Sequence, residues 1–350
     1  EEAHHAYDLV AAGMDCARIN CARDDEAAWN AMAANVRAAA RALGRECRIL
    51  VDLGGPRLRT GPIAGGARRL LLSVGDRLEL VADAGEASVR RGSLPRIACT
   101  PPEILRQAEV GDPIWFDDGR IGGIIEERAE DRMLVRVTHA KPDGSKLRPD
   151  RGINLPETPL TMPAPTAQDL RDLDTVVGWA DAIEQSYVQR PEDVLALHDA
   201  LRRRGADHVG IILKIETRRA FDNLPQLLLA AMRRRSYGVM IARGDLAVGV
   251  GFERMAEVQE EILWIAEAAH APTIWATAVL DDLAKEGTLS RAEVTDAAMA
   301  ARAEAVLLNK GPYILDAIRT LDDILARMKQ HQSKKRSLFR ALRVSGSLWR

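Results

Sequence analysis

The chain has 350 residues, 47% of them hydrophobic, enough to bury the core of one large domain or two ordinary ones. Its 49 Lys and Arg nearly balance its 51 Asp and Glu, for a formal net charge of -2. No global field therefore draws it to nucleic acid or to a membrane surface, and a charged ligand has to be held by local groups. Cys16, Cys21, Cys47 and Cys99 form no CxxC pair or zinc spacing, and neither a signal peptide nor a spanning apolar run is read in the chain. The expectation is a cytoplasmic protein whose reduced thiols serve as small core residues.

In chain order, a helical stretch (EAHHAYDLVAAG) is followed by a short apolar run, CARIN (16–20), an amphipathic helix over 28–43, and a second run, RILVDL (48–53). After residue 158 the same rhythm resumes. The runs are DAIEQSY (181–187), GIILKIE (210–216), GVMIARGD (238–245), PTIWATAV (272–279) and AVLLNKG (305–311). Helices are predicted between them over 191–204, 253–270 and 291–303, the last opened by Ser290 with Glu293 three residues on, a capping box. Short apolar runs alternating with helical periods are the signature of βα units and a parallel sheet. Residues 61–158 break the rhythm with LLLSVGDRLELVA, DPIWFDDGRIGGIIEE and MLVRVTHA at short spacings, which reads as a small inserted β domain.

The expected fold is α/β, a TIM (β/α)8-type barrel with an inserted small β-barrel lid domain. Its expected divisions are 1–60 and 159–328 for the two parts of the barrel, 61–158 for the lid, and 329–350 for a basic C-terminal tail. The tail carries Lys329, Lys334, Lys335, Arg336, Arg340, Arg343 and Arg350, with no acid after Asp323, and reads as a solvated helix end. Eight units close such a barrel and seven runs are visible, so the expectation is that the first strand lies outside this chain.

Sites in these barrels gather where strands end. Those positions hold Arg18, Asn20, Asp52, Ser186, Lys214, Glu216, Arg243, Asp245, Thr277, Asn309 and Lys310. Glu216 and Asp245 are hard oxygen donors of the kind Mg²⁺ accepts when substrate and water complete its octahedron. Lys214 lies two residues before Glu216, on the same side of a regular strand, where its charge can neutralise a phosphoryl group or an enolate. The competing reading is a structural Lys–Glu–Asp ion network, which would cost desolvation without a use.

VMIARGDLAV, IILKIET followed by FDNL, GMDCARIN, VDLGGPRLRTG, RGINLPE, QSYVQRPEDV, ATAVL and SRAEVTDAAMAARAEAVLL, all in order, resemble the pyruvate kinase family over about residues 8–325. The resemblance implies phosphoryl transfer from phosphoenolpyruvate to ADP, with protonation of the enolate to pyruvate. It implies catalytic roles for Lys214, Thr277 and Arg18. It places the substrate at Ala242, Arg243, Gly244, Asp245 and Thr277, and the nucleotide phosphates at Arg23, Arg59 and Arg151. Glu216 and Asp245 would hold Mg²⁺, with Mn²⁺ as an alternative, and the β insertion would act as a lid. The implied partners are phosphoenolpyruvate and ADP/ATP, without nucleic acid or membrane, and a homo-oligomer through the barrel stays open.

Departures from the family pattern are informative. Of four positions that hold K⁺ in many members, Asn20 and Asp52 are retained while Ala22 and Leu53 are not. The usual acid after the Gly-Pro pair is Arg57, a replacement charge that predicts a K⁺-independent enzyme. Ala278, Gly249 and the turn Asn309-Lys310-Gly311-Pro312 also differ from the pattern, and regulation through the family's C-terminal effector domain is not expected of these residues. Two alternatives stand beside the kinase: a Mg²⁺-dependent lyase or aldolase acting through a pyruvate enolate, and a catalytically silent binding module.

Overall fold

The computed structural model describes residues 2–85 and 93–329; the basic tail from residue 330 on lies outside the described residues. In chain order the strands are β1 (Cys16–Asn20), β2 (Arg48–Asp52), β3 (Arg59–Ile63), β4 (Leu70–Leu72), β5 (Arg77–Val81), β6 (Arg96–Thr100), β7 (Pro113–Phe116) and β8 (Ile121–Arg128). They continue with β9 (Arg132–His139), β10 (Ser145–Leu147), β11 (Ile153–Asn154), β12 (Ala182–Gln185), β13 (Gly210–Ile215), β14 (Tyr237–Ala242), β15 (Thr273–Val279) and β16 (Ala305–Leu308). The chain divides into two compact units, one of residues 1–55, 164–243 and 255 onward, the other of 56–163 with 244–254. The sequence expectation had left 244–254 with the barrel.

The first unit is a parallel sheet in the order β1-β2-β12-β13-β14-β15-β16, each strand followed by a helix, the α/β architecture of a TIM-type barrel. Side-chain alternation builds it in layers. Ile49, Val51, Ile183, Ile211, Leu213, Ile215, Val239, Ile241 and Trp275 are fully buried on one face, where the helices pack. On the other face Ile212, Met240, Ile274 and Ala276 form an apolar layer with Leu50, Ala182, Ala305 and Leu307. Two residues further along the same strands, on that same face, stand Asp52, Glu184 and Lys214. The face thus changes from apolar to charged at the C-terminal ends of the strands.

Helix boundaries follow local chemistry. Asp25 caps the helix Glu26–Leu43, accepting from the Ala28 N–H, and Gly44 ends it at φ 62°. The expected capping box of Ser290 and Glu293 opens the helix Arg291–Ala300. The run GVMIARGD is strand only to Ala242; Arg243, Gly244 and Asp245 form the first turn of the helix Arg243–Val250. No described helix is long and apolar enough to cross a membrane.

The second unit is a curled sheet in the order β11-β7-β8-β9-β5-β6-β3, antiparallel except where β5 meets β6, with a separate β4–β10 pair. Its core includes Leu78, Leu80, Ile97, Ile114, Phe116, Ile125, Val135 and Val137. Gly122 is required at its place in β8, because a Cβ there would come within 2.6 Å of the Trp115 ring.

Candidate active site

At the strand ends of the first unit, five charged side chains form one network. Lys214, 2% exposed at the end of β13, donates from Nζ to Asp52 Oδ1 at 2.7 Å and to Ser186 Oγ at 2.7 Å, and pairs with Glu216 Oε1 at 3.0 Å. Glu216 is 4% exposed, and its other oxygen accepts the Tyr187 N–H at 2.6 Å. Ser186 Oγ donates to the Leu53 carbonyl at 2.7 Å, which ties β12 to β2. Gly55 allows the loop after β2 to pass over Ser186: it sits at φ 66°, and a Cβ would meet the Ser186 Cβ at 2.6 Å.

Arg18, projecting from β1, donates from Nε to Glu184 Oε2 at 2.7 Å and from Nη2 to Asp52 Oδ2. Asp52 and Glu184 are fully buried and lie in register on adjacent strands. Electrostatics follow from this crowding. Burial opposes charge on Lys214, but Glu216 and Asp52 outweigh it and raise the lysine pKa above its ordinary value. Arg18 is likewise held charged against its burial by Asp52 and Glu184. Burial pushes the Glu184 carboxyl upward, and Asp52 adds to that, against the opposing pull of Arg18 and Lys214.

Arg243, at the boundary of the same unit, is placed away from open solvent. It donates from Nε to the Ala276 carbonyl at 2.7 Å and from Nη2 to the Thr277 carbonyl at 2.5 Å, and it pairs with Asp296 through both terminal nitrogens. Its guanidinium lies 4.8 Å from the centre of the Trp275 ring. These contacts hold an unusual backbone: Thr277, Ala278 and Leu280 have φ of 77°, 56° and 48°. A β-branched residue in that region is strained, and the surroundings must over-determine it. Thr277 is half-buried there, and Ala242 is buried at the end of β14.

The remaining expected site residues are distributed as follows. Arg23 is exposed in the loop after β1, and its carbonyl accepts from Trp29 Nε1 at 2.7 Å. Asn20 Oδ1 accepts the Ala22 N–H at 2.9 Å. Asn309 donates to Asp281 at 2.9 Å, and Lys310 is exposed. Within the second unit Arg59 pairs with Asp150 at 2.8 Å and Arg151 with Asp117 at 3.5 Å; Arg57 is half-buried there. Asp245 also belongs to that unit; its Oδ1 accepts from Asn154 Nδ2 at 2.9 Å. Burial, with Asp245 and Asp117 nearby, raises the Asp118 carboxyl above the usual range.

Two residues of the strand-end networks escaped sequence reading. Glu184 had a signal: in DAIEQSY it shares the alternation of Ala182 and Ser186, and so faces Asp52 and Lys214. Asp296 had none, since an acid inside an amphipathic helix reads as solvated.

The family description "pyruvate kinase, barrel domain" matches residues 1–311. This chain belongs to the pyruvate kinase family. It is 32% identical over 332 residues to a pyruvate kinase of Mycobacterium tuberculosis, covering 93% of this chain and 67% of that protein. To the pyruvate kinase of Bacillus licheniformis it is 31% identical over 350 residues, covering 97% and 57%. For that of Geobacillus stearothermophilus the figures are 31% over 329 residues, 92% and 54%. The chain thus spans between about half and two thirds of the length of these relatives. Within the pyruvate kinase family the barrel match takes in every strand end described above, up to Gly311.

Proposed function

We propose that this chain transfers the phosphoryl group of phosphoenolpyruvate to ADP, yielding ATP and, after protonation, pyruvate. The observation that carries the reading is the buried Lys214 ammonium at the end of β13, kept charged by Asp52 and Glu216 and joined through Asp52 to Arg18. Two cations fixed at one strand-end rim are suited to an anionic phosphate ester in a setting of low dielectric.

In this mechanism the P–O bond to the enol oxygen breaks and a P–O bond to the terminal phosphate of ADP forms. Lys214 and Arg18 meet the negative charge that spreads over the transferring group. The enolate left behind takes a proton at its methylene carbon, and Thr277, held by Arg243, relays it. Backbone groups of Ala242, Arg243 and Gly244 orient the carboxylate. Arg23, Arg59 and Arg151 contact nucleotide phosphates, residues 61–158 acting as the lid.

Glu216 and Asp245 would hold Mg²⁺ or Mn²⁺. Both are carboxylates, the hard donors these ions require, and no cluster of three or more His, Cys, Asp or Glu that could hold a metal occurs among the described residues. Two protein ligands suit an ion that keeps water and substrate in its remaining positions. When bound, the ion neutralises phosphoryl charge and orients the two substrates.

K⁺ is not required in this reading. Asp52 accepts from Lys214 and pairs with Arg18, while Asn20 Oδ1 is occupied by a backbone N–H, so both retained positions are already engaged by the protein. Arg57 supplies fixed charge in place of the ion. Pyruvate release from phosphoenolpyruvate and ADP, coupled to lactate dehydrogenase, tests the proposal. Turnover that needs Mg²⁺ and ADP but not K⁺ is expected; absence of pyruvate with every component present refutes it.

A further inference from the structure

Glu184 is the charged group of the network that the proposed chemistry leaves without a task. It is fully buried, on β12. One oxygen accepts from Arg18 Nε at 2.7 Å, while the other, Oε1, is buried with no hydrogen-bond partner. Below it on the same face lies the apolar layer of Ile212, Leu50 and Ala182. A buried carboxylate with an unmatched oxygen is destabilising, as is a third acid, with Asp52 and Glu216, in a network with two cations. An apolar residue of similar size would continue this layer, so the layer itself gives no reason for an acid here.

The geometry of Arg18 supplies one. Its guanidinium has three nitrogens in a rigid plane. Glu184 holds Nε and Asp52 holds Nη2, from neighbouring strands in register. Acceptors on two of these nitrogens fix both the position of the plane and its rotation, which one acceptor does not. Nη1 makes no hydrogen bond to the described chain, and the side chain keeps 24% of its surface exposed.

We propose that Glu184 is a positioning residue: it orients Arg18 so that Nη1 is presented to the phosphate group of the substrate. The assignment rests on the functional reading above, in which Arg18 contacts that phosphate. Glu184 itself touches no reacting atom. Its burial is a cost in stability that returns as affinity for a phosphate ester.

The test uses the whole chain and two readouts, phosphoenolpyruvate affinity by calorimetry and thermal stability. Glu184→Leu is expected to fold with a lowered melting temperature, since Arg18 Nε loses its acceptor, and to weaken phosphoenolpyruvate binding on the order of tenfold, the loss of one charge-assisted hydrogen bond. Glu184→Gln keeps an acceptor for Nε and should restore most of the affinity. In an Arg18→Lys background the Glu184→Leu change should have no further effect on affinity, because the group it orients is gone. A Glu184→Leu protein that folds and binds phosphoenolpyruvate as the parent does would assign Glu184 to structure alone and overturn the proposal. If Glu184→Leu does not fold, the Glu184→Ala and Arg18→Lys cycle decides: additive losses overturn the assignment, non-additive ones support it. A parent chain that binds neither phosphoenolpyruvate nor inorganic phosphate refutes the functional reading, and this assignment with it.

Discussion

Replacing Lys214 by Met tests whether the strand-end network is the electrostatic unit described. Methionine keeps most of the apolar stem, so packing is nearly conserved and the charge is what is lost. Lys214 is 2% exposed and bonds Asp52 Oδ1 and Ser186 Oγ at 2.7 Å each and Glu216 Oε1 at 3.0 Å. Its removal takes one cation from both Asp52, which still pairs with Arg18, and Glu216, which still accepts the Tyr187 N–H. Breaking a buried pair from one side costs about 3–5 kcal/mol. The raised lysine pKa fixes the pH dependence. The contribution of Lys214 is fully present below the ordinary lysine value of 10.5, and fades only as pH rises through the higher folded value. In Lys214→Met the stranded carboxylates take up protons more readily, so the deficit should be largest near pH 8 and shrink toward pH 5, by at most about 1.4 kcal/mol per pH unit for each proton taken up. Urea denaturation of both proteins at several pH values measures it. A deficit under about 1 kcal/mol at pH 8, or one that grows as pH falls, would refute the reasoning.

The other predictions are briefer. Gly55→Ala forces a side chain into φ 66° and against Ser186, and should destabilise by about 2 kcal/mol or more in the same denaturation experiment; a neutral result would mean the loop after β2 is not held over Ser186. Asp296→Asn weakens the hold of Arg243 on the carbonyl of Thr277, and should lower kcat more than it raises KM for phosphoenolpyruvate, because protonation rather than binding is disturbed. Equal changes in both would remove Arg243 from that role. Burial pushes the thiols of Cys21 and Cys99 up to about 12, so in the native protein at pH 8 iodoacetamide should leave both unmodified until denaturant is added. Rapid native labelling of either, read by peptide mass spectrometry, would contradict their burial.

Much of the fold is legible because its elements carry opposite periods. GIILKIE and AVLLNKG are too short and too uniformly apolar for amphipathic helices, and the stretches between them repeat at helical spacing. The extent of β14 is less legible: VMIARGD reads as one run, yet the strand stops at Ala242, where the chain turns directly into a helix. Lys214 and Glu216 can be placed on one side by counting, since alternation holds in a regular strand. The partners of Arg18 and Arg243 cannot be counted out. Glu184 lies 166 positions from Arg18 and Asp296 lies 53 from Arg243, and only the strand order, with β1 and β12 on either side of β2, and the packing of a helix bring them together. The left-handed backbone at Thr277 and Ala278 is equally hidden, because neither residue favours it and Arg243 imposes it.

The central claim is that the phosphoryl group of phosphoenolpyruvate passes to ADP at the network around Lys214. Phosphorus NMR of phosphoenolpyruvate, ADP and Mg²⁺ mixed with stoichiometric protein, without K⁺, tests it most directly. The account predicts that the enol phosphate resonance is replaced by the γ-phosphate of ATP, and that Lys214→Met suppresses the change. Release of inorganic phosphate alone, or an unchanged phosphoenolpyruvate signal, would contradict it.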